Sequence, residues 1–236
     1  MKISQSQINL FRSCPYAYAL RYYFRKEGIW WDPSVVEVGK RVHDAIDSFY
    51  KHHYTIYRNS GDILKEVYRI LRHEWDTTLS AEYLKKAYTC LTNFAEFEMN
   101  NINRGIQTKP LTEVHIHANG LYGIVDYVDL VNRKIIDWKT NTRAGISYEN
   151  RMQAVMYRTL IREKFKFEIP YFTFQYLFPN EVRIIKYDKK TEQVEKEMYE
   201  FIDKIKRAWK EKDFPQEPRT PRTCNGCQFH YYCGGV

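Results

Sequence analysis

No stretch of the 236-residue chain holds about 18 consecutive apolar residues, so no segment reads as a membrane span. The opening MKISQSQINLF lacks the apolar core of an export signal, and a cytoplasmic setting is expected. Cysteine is scarce and odd in number, at five. That count fits a reducing compartment better than a disulfide framework. Internal repeats and low-complexity linkers are absent, which excludes solenoid and linker architectures. No Gly-rich loop ending in Lys-Ser/Thr occurs, so a nucleotide-driven motor is not expected. Acidic charge is in deficit: 29 Asp and Glu against 37 Lys and Arg leave a net +8.

What is abundant is aromatic side chain, 16% of residues, with 20 Tyr exceeding 13 Phe. Tyrosine has a polar tip and suits half-wet surfaces as well as cores. Basic charge with many tyrosines points to a polyanionic partner, against the plainer reading of a surplus spread evenly over the surface. The length supports a sizeable core, and one domain over 1–236 is expected.

Hydrophobic periodicity divides that domain. Residues 1–110 read as mainly helical, 111–212 as an α/β core and 213–236 as a cysteine-bearing tail. Ser4 with Gln7 has the pattern of a capping box, and Pro15 starts a second short helix. Further helices are expected over about 34–57, 61–76 and 80–103, the last with Ala87, Cys90, Leu91 and Phe94 on its apolar face. LTEVHIHA, GLYGIVDYVDLV and KIIDWKT read as three antiparallel strands broken at Asn-Gly and Asn-Arg. A helix over YENRMQAVMYRTLIREKF, two strands joined at PNE and a long amphipathic helix follow. The expected fold class is α/β, with an αβββαβ core behind a helical N-terminal half.

Chemistry concentrates in GIVDYVDLVNRKIIDWKT. Asp137 and Lys139 are two apart on one strand and share a face, and a turn near Asn132 brings Asp126 alongside. Asp-x-Lys alone is an ordinary surface pair. Here each acid follows an apolar run, Ile124-Val125 and Ile135-Ile136, where a carboxylate needs a cation to offset desolvation. Carboxylate oxygens suit magnesium or manganese, and such an ion beside an ammonium can hydrolyse a phosphodiester.

Four short motifs occur in order: GKRVH with Gly39 and His43, GIVD with Gly123 and Asp126, DWK with Asp137 and Lys139, and QAVMY with Gln153 and Tyr157. Over residues 3 to 233 this set resembles the PD-(D/E)XK nucleases, in particular the RecB-like branch and its Cas-four family of CRISPR-associated exonucleases. The resemblance implies a restriction-endonuclease-like fold and a metal-dependent DNA exonuclease. It makes His43, Asp126, Asp137 and the Trp138 carbonyl metal ligands and gives Lys139 the attacking water. Gln153 and Tyr157 would orient substrate beside the metal. Val125 stands where the superfamily's nominal proline would be, and Glu113 matches a position often acidic in the branch.

The tail TPRTCNGCQFHYYCGGV brings Cys224, Cys227 and Cys233 together and needs a fourth ligand. Thiolates serve zinc and iron–sulfur clusters alike, but structural zinc favours two close pairs over one-plus-three. The resemblance supplies Cys14, in the Cys-Pro that several RecB-like members carry, and implies a 4Fe-4S cluster clasping the two ends of the domain. A cross-link between Cys14 and Cys224, 224 − 14 = 210 residues apart, restricts the unfolded chain by on the order of 5 kcal/mol.

DNA, single-stranded or with single-stranded ends, is the expected substrate. The resemblance implies a CRISPR integrase or a recombination protein as partner. RYYFRKEGIWW interleaves Arg21, Arg25 and Lys26 with Tyr22, Tyr23, Trp30 and Trp31, a pattern for tracking phosphates and stacking bases. Arg143 and Arg151 flank the acids as phosphate contacts. The competing reading is a DNA-binding or docking module that keeps the fold without catalysis.

Overall fold

The computed structural model describes residues 1–29, 33–53, 60–75, 80–106 and 108–233. One six-stranded sheet separates two layers of helices. Strands β2 (Leu111–Ala118), β3 (Leu121–Asp129) and β4 (Lys134–Lys139) form the expected antiparallel meander. The β2–β3 turn uses Asn119 and Gly120, both at positive φ (51° and 78°), as a tight hairpin demands. Helix α6 (Tyr148–Phe165) crosses over to β5 (Tyr171–Tyr176), parallel to β4, and β6 (Glu181–Lys186) closes the edge. The αβββαβ core expected from the sequence is present.

Helix starts follow local chemistry. Ser147 caps α6 and Asp188 caps α7 (Lys189–Glu211), each in a reciprocal capping box. Ser4 accepts the Gln7 amide at the start of α1 (Gln5–Ser13), without the return bond of a full box. Helix α2 (Pro15–Tyr18) opens on its proline and widens into a π turn over Ala19–Tyr23. Helix α3 (Pro33–Ser48) likewise continues as a π turn over Phe49–His53; the remainder of the helix expected to residue 57 lies outside the described residues. Helices α4 (Ser60–Glu74) and α5 (Ala81–Asn103) complete that layer.

Two cores result. Helices α1, α6 and α7 pack Met152, Met156, Leu160, Met198 and Ile205 against one sheet face, with Val125, Phe172 and Phe174. Helices α3 to α5 pack Val42, Phe49, Leu91 and Phe94 against the other, around Tyr127, Ile136 and Trp138. Trp138 sits edge-on to Phe94, Phe97 and Tyr127, so the site's strand is anchored through its middle.

The start of the chain adds a strand too short to be read from sequence. Residues Ile3–Ser4 (β1) pair parallel to Leu121–Tyr122. The tail, with α8 (Pro221–Asn225) and a 3-10 turn over His230–Cys233, returns to that region. Arg219 donates its backbone N–H to the Ser13 carbonyl at 2.8 Å, and Ile29 donates to the Gln228 carbonyl at 2.9 Å. Trp209 Nε1 donates to the Tyr18 hydroxyl at 2.9 Å.

Candidate active site

The site is built where β3 and β4 part. Their ladder runs from Asp129↔Lys134 to Tyr127↔Ile136, and the next step sets Asp126 opposite Asp137 without backbone pairing. Asp126 Oδ2 instead accepts the Trp138 N–H at 2.8 Å, so a carboxylate takes the place of a strand carbonyl.

A second irregularity lies across β3. Val114 and Val125 face the α6 layer, whereas their ladder neighbours Thr112 and Tyr127 face the α3–α5 side. In a regular strand residues two apart share a face. The alternation slips at Glu113 and Asp126, and Glu113 has the left-handed φ of 46° that permits it. Strain of this kind costs a non-glycine residue on the order of 1 to 3 kcal/mol and persists only where surrounding structure imposes it. Here it sends Thr112 to Asp47 (2.6 Å) and Glu113 toward His43, one turn apart on α3.

Asp137 and Lys139 share the α6 side of β4. Lys139 Nζ is 2.7 Å from Asp137 Oδ2, and Gln153 of α6 joins the pair. Its Nε2 donates to Asp137 Oδ1 at 2.5 Å, and its Oε1 accepts from Lys139 Nζ at 3.1 Å. Burial would lower the Lys139 pKa, but the charge of Asp137 and its contact with it raise it instead. Lys139 therefore stays an ammonium at neutral pH and acts as a fixed positive charge rather than as a base.

His43, Glu113 and Asp126 form a separate set whose ligand atoms lie within 4.8 Å of one another. His43 Nδ1 is 3.8 Å from Glu113 Oε1 and 3.6 Å from Asp126 Oδ2, and Nε2 is 3.0 Å from the Trp138 carbonyl. Burial works against the charged imidazole, but Asp126, Glu113 and Asp137 raise its pKa to about 9. Burial, with Asp137 beside it, pushes Asp126 up to about 7. The two carboxylates converge on Nδ1 while the Trp138 carbonyl meets the other ring nitrogen, and carboxylate and carbonyl oxygens are the donors that magnesium and manganese take. Asp137 lies beyond that tight set, engaged by Lys139 and Gln153, while Glu113 is a full member of it.

Tyr157 is one turn beyond Gln153, yet its hydroxyl donates to the Ile124 carbonyl at 2.5 Å, on the far side of β3 from His43. Gly123 makes that approach possible: a Cβ there would come within 2.8 Å of Leu160 and Tyr157. Arg143 is exposed near the end of β4, and Arg151 is on the first turns of α6.

Cys14, Cys224, Cys227 and Cys233 line one cavity, together with His230 and Pro218, and all four are free thiols. A tetrahedral zinc with Zn–S near 2.3 Å would hold its sulfurs about 3.8 Å apart. Among the described residues no three of these sulfurs lie within 4.8 Å of one another.

The Tyr22 and Tyr23 rings pack against the core, Tyr22 on Tyr18 and Tyr23 between Trp209 and Phe214. They hold the second helix down and are half-buried. Trp30 and Trp31 lie outside the described residues. Among those described, no helix is long and apolar enough to cross a membrane.

Two carboxylates, an imidazole and a charged lysine gather at the parting of two strands, the groups that metal-assisted hydrolysis uses. The model of the PD-(D/E)XK nuclease superfamily matches residues 2–234, and the chain belongs to that superfamily, whose members are nucleases that use divalent metal ions on DNA. The crystal structure of SSO0001 aligns with 98% of this chain and 85% of that one at 12% identity and a TM-score of 0.44, a likeness too weak to bear on fold or function. No curated protein matches the chain significantly.

Proposed function

We propose that this protein is a metal-dependent deoxyribonuclease that degrades DNA from its ends, prefers single-stranded ends and carries a 4Fe-4S cluster. The observation that carries the reading is the Asp126–Asp137–Lys139 arrangement at the divergence of β3 and β4, with Glu113 and His43 beside it. His43, Glu113, Asp126 and the Trp138 carbonyl would hold a magnesium or manganese ion, with Asp137 at its margin. Such an ion polarises the phosphodiester and makes water a better nucleophile.

The chain's own residues do the rest. Lys139 places a permanent positive charge where negative charge builds during attack, and orients the water. Gln153 holds Lys139 and Asp137 in register through both ends of its amide. Tyr157 fixes β3 at Ile124 and so sets the height of Asp126. Arg143 and Arg151 offer cations to the backbone of the strand.

Cys14, Cys224, Cys227 and Cys233 would hold the cluster, whose role here is to staple the tail to the first helices. Resemblance to the Cas-four family favours a place in CRISPR spacer acquisition beside an integrase; recombination or repair is the neighbouring role.

The test is degradation of end-labelled single-stranded, duplex and circular DNA with manganese or magnesium, for the wild type and Asp126→Asn. Cleavage of linear single strands, absent with EDTA or in the variant, is expected. Binding without cleavage under every metal would leave only the non-catalytic reading. Anaerobically purified protein is expected to carry four iron atoms and acid-labile sulfide; a colourless zinc protein would remove the cluster.

A further inference from the structure

Beyond the slip at Glu113 and Asp126, one face of β2 and β3 carries exposed side chains among the described residues. Val114, Ile116 and Ala118 of β2 and Leu121 and Val125 of β3 face the α6 layer. The alternate residues, His115, His117 and Tyr122, face the other way, where helix α3 no longer covers the sheet; both histidines are exposed. Tyr122 is paired with His117 across the ladder, and their rings stack with centroids 4.5 Å apart and planes 19° apart. Tyr122 also shares a hydrogen bond with His115 Nδ1 at 3.0 Å, which fixes the phenol on the sheet.

The surroundings are cationic. Lys164 donates to the His115 carbonyl at 3.0 Å, and Lys2 adjoins β1, which pairs with Tyr122. Desolvation by adjoining atoms, then the charges of Lys2, His115 and Lys164, shift the His117 pKa downward, which favours the neutral ring that stacks as an aromatic. Tyr122 is four residues along β3 from Asp126, or about 13 Å at strand rise. A flat aromatic pair with lysines beside it, on a sheet that leads to a phosphodiester-cleaving site, matches how single strands are held: rings on bases, cations on phosphates.

We infer that Tyr122 and His117 form a stacking platform for an unpaired base of the DNA strand being degraded, with Lys2 and Lys164 on its phosphates. The inference rests on the nuclease reading for its substrate but concerns binding alone.

It is tested by anisotropy of a fluorescein-labelled single-stranded oligonucleotide in EDTA, where the strand stays intact. Stacking contributes about 1 to 3 kcal/mol per base, so Tyr122→Ala is expected to weaken binding roughly 5- to 150-fold. Tyr122→Trp should keep it. His117→Ala, at an exposed position, should weaken binding with no change in thermal midpoint. A blunt duplex should be little affected by any of these. Wild-type affinity in both alanine variants, or equal loss on the blunt duplex, would overturn the platform. Cleavage by Asp126→Asn and wild type, measured separately, reports on the nuclease reading: a protein that binds through Tyr122 and never cleaves would refute that reading and leave the platform standing.

Discussion

Glu113 stands opposite Asp126 on neighbouring strands, at the one step of the β2–β3 ladder between Thr112↔Tyr127 and Val114↔Val125. Both carboxylates lean on His43, and the backbone of Glu113 is left-handed at φ 46°. The pair is therefore held together against like-charge repulsion and against backbone preference. Glu113→Gln is expected to reduce cleavage at least about tenfold and to raise the manganese concentration needed, because a ligand is lost. The change in the metal-free thermal midpoint should be small, since a repulsion with Asp126 and an attraction to His43 are lost together. An unchanged metal requirement would confine Glu113 to orienting His43.

Lys139→Ala removes a charge that Asp137 holds in place. Cleavage should fall about 100- to 1,000-fold, as for other preorganised transition-state donors. Manganese binding by calorimetry should survive, because Lys139 holds no metal. The variant should also be less stable, since the buried Asp137 loses its cation.

Tyr157→Phe separates two roles for one residue. If the hydroxyl serves to fix β3, its loss leaves the Ile124 carbonyl unpartnered and costs about 1 to 3 kcal/mol of stability in urea unfolding. The apparent affinity for DNA should then be unaltered. A large rise in KM with unchanged stability would return Tyr157 to direct substrate contact.

A pH effect is expected from a group outside the site. Glu98 of α5 is 2% exposed and accepts bonds from Tyr50 and from Asn101 Nδ2. Burial pushes its pKa up to about 7 from 4.5 despite those bonds. The folded protein thus binds more protons than the unfolded chain between these values, so stability falls as pH rises from 4.5 through 7. The contribution is about 3 kcal/mol, present below the unfolded value and gone above the folded one. Glu98→Gln should flatten this part of the profile, read as the wild-type minus variant difference in urea unfolding at pH 5 and pH 8.

Cys14→Ser should release iron from the anaerobically purified protein while leaving the far-ultraviolet dichroism close to native. The Ser13–Arg219 and Ile29–Gln228 backbone bonds and the packing of Cys14, Ala17, Leu20 and Phe229 do not depend on the thiol. Complete unfolding would mean that these contacts are too weak to hold the tail alone.

The meander and α6 were legible because their signals are local: alternating apolar residues, the Asn-Gly turn and a Ser147 cap. Asp137 and Lys139 on one face followed from strand periodicity. Glu113 was not legible as a partner of Asp126, since only a left-handed backbone turns it toward His43, and a glutamate does not mark that conformation as Gly or Asn would. Strand β1 escaped because two residues have no period. The aromatic run at Tyr22 and Tyr23 read as a binding surface, but such rings serve equally well to seat a π turn on Trp209 and Phe214. The ring pair on Tyr122 is spread over two strands and takes shape only through the ladder.

Pairing Ile3 with Leu121, and Ser13 with Arg219, also dictates a timetable. On the ribosome the first helix must wait for the middle of the chain before its strand has a partner. Cys14 must then wait for 224 − 14 = 210 further residues before the first of its companions emerges. The nuclease centre can therefore assemble before the thiol set is complete, and loading of any metal cluster comes after that centre has formed.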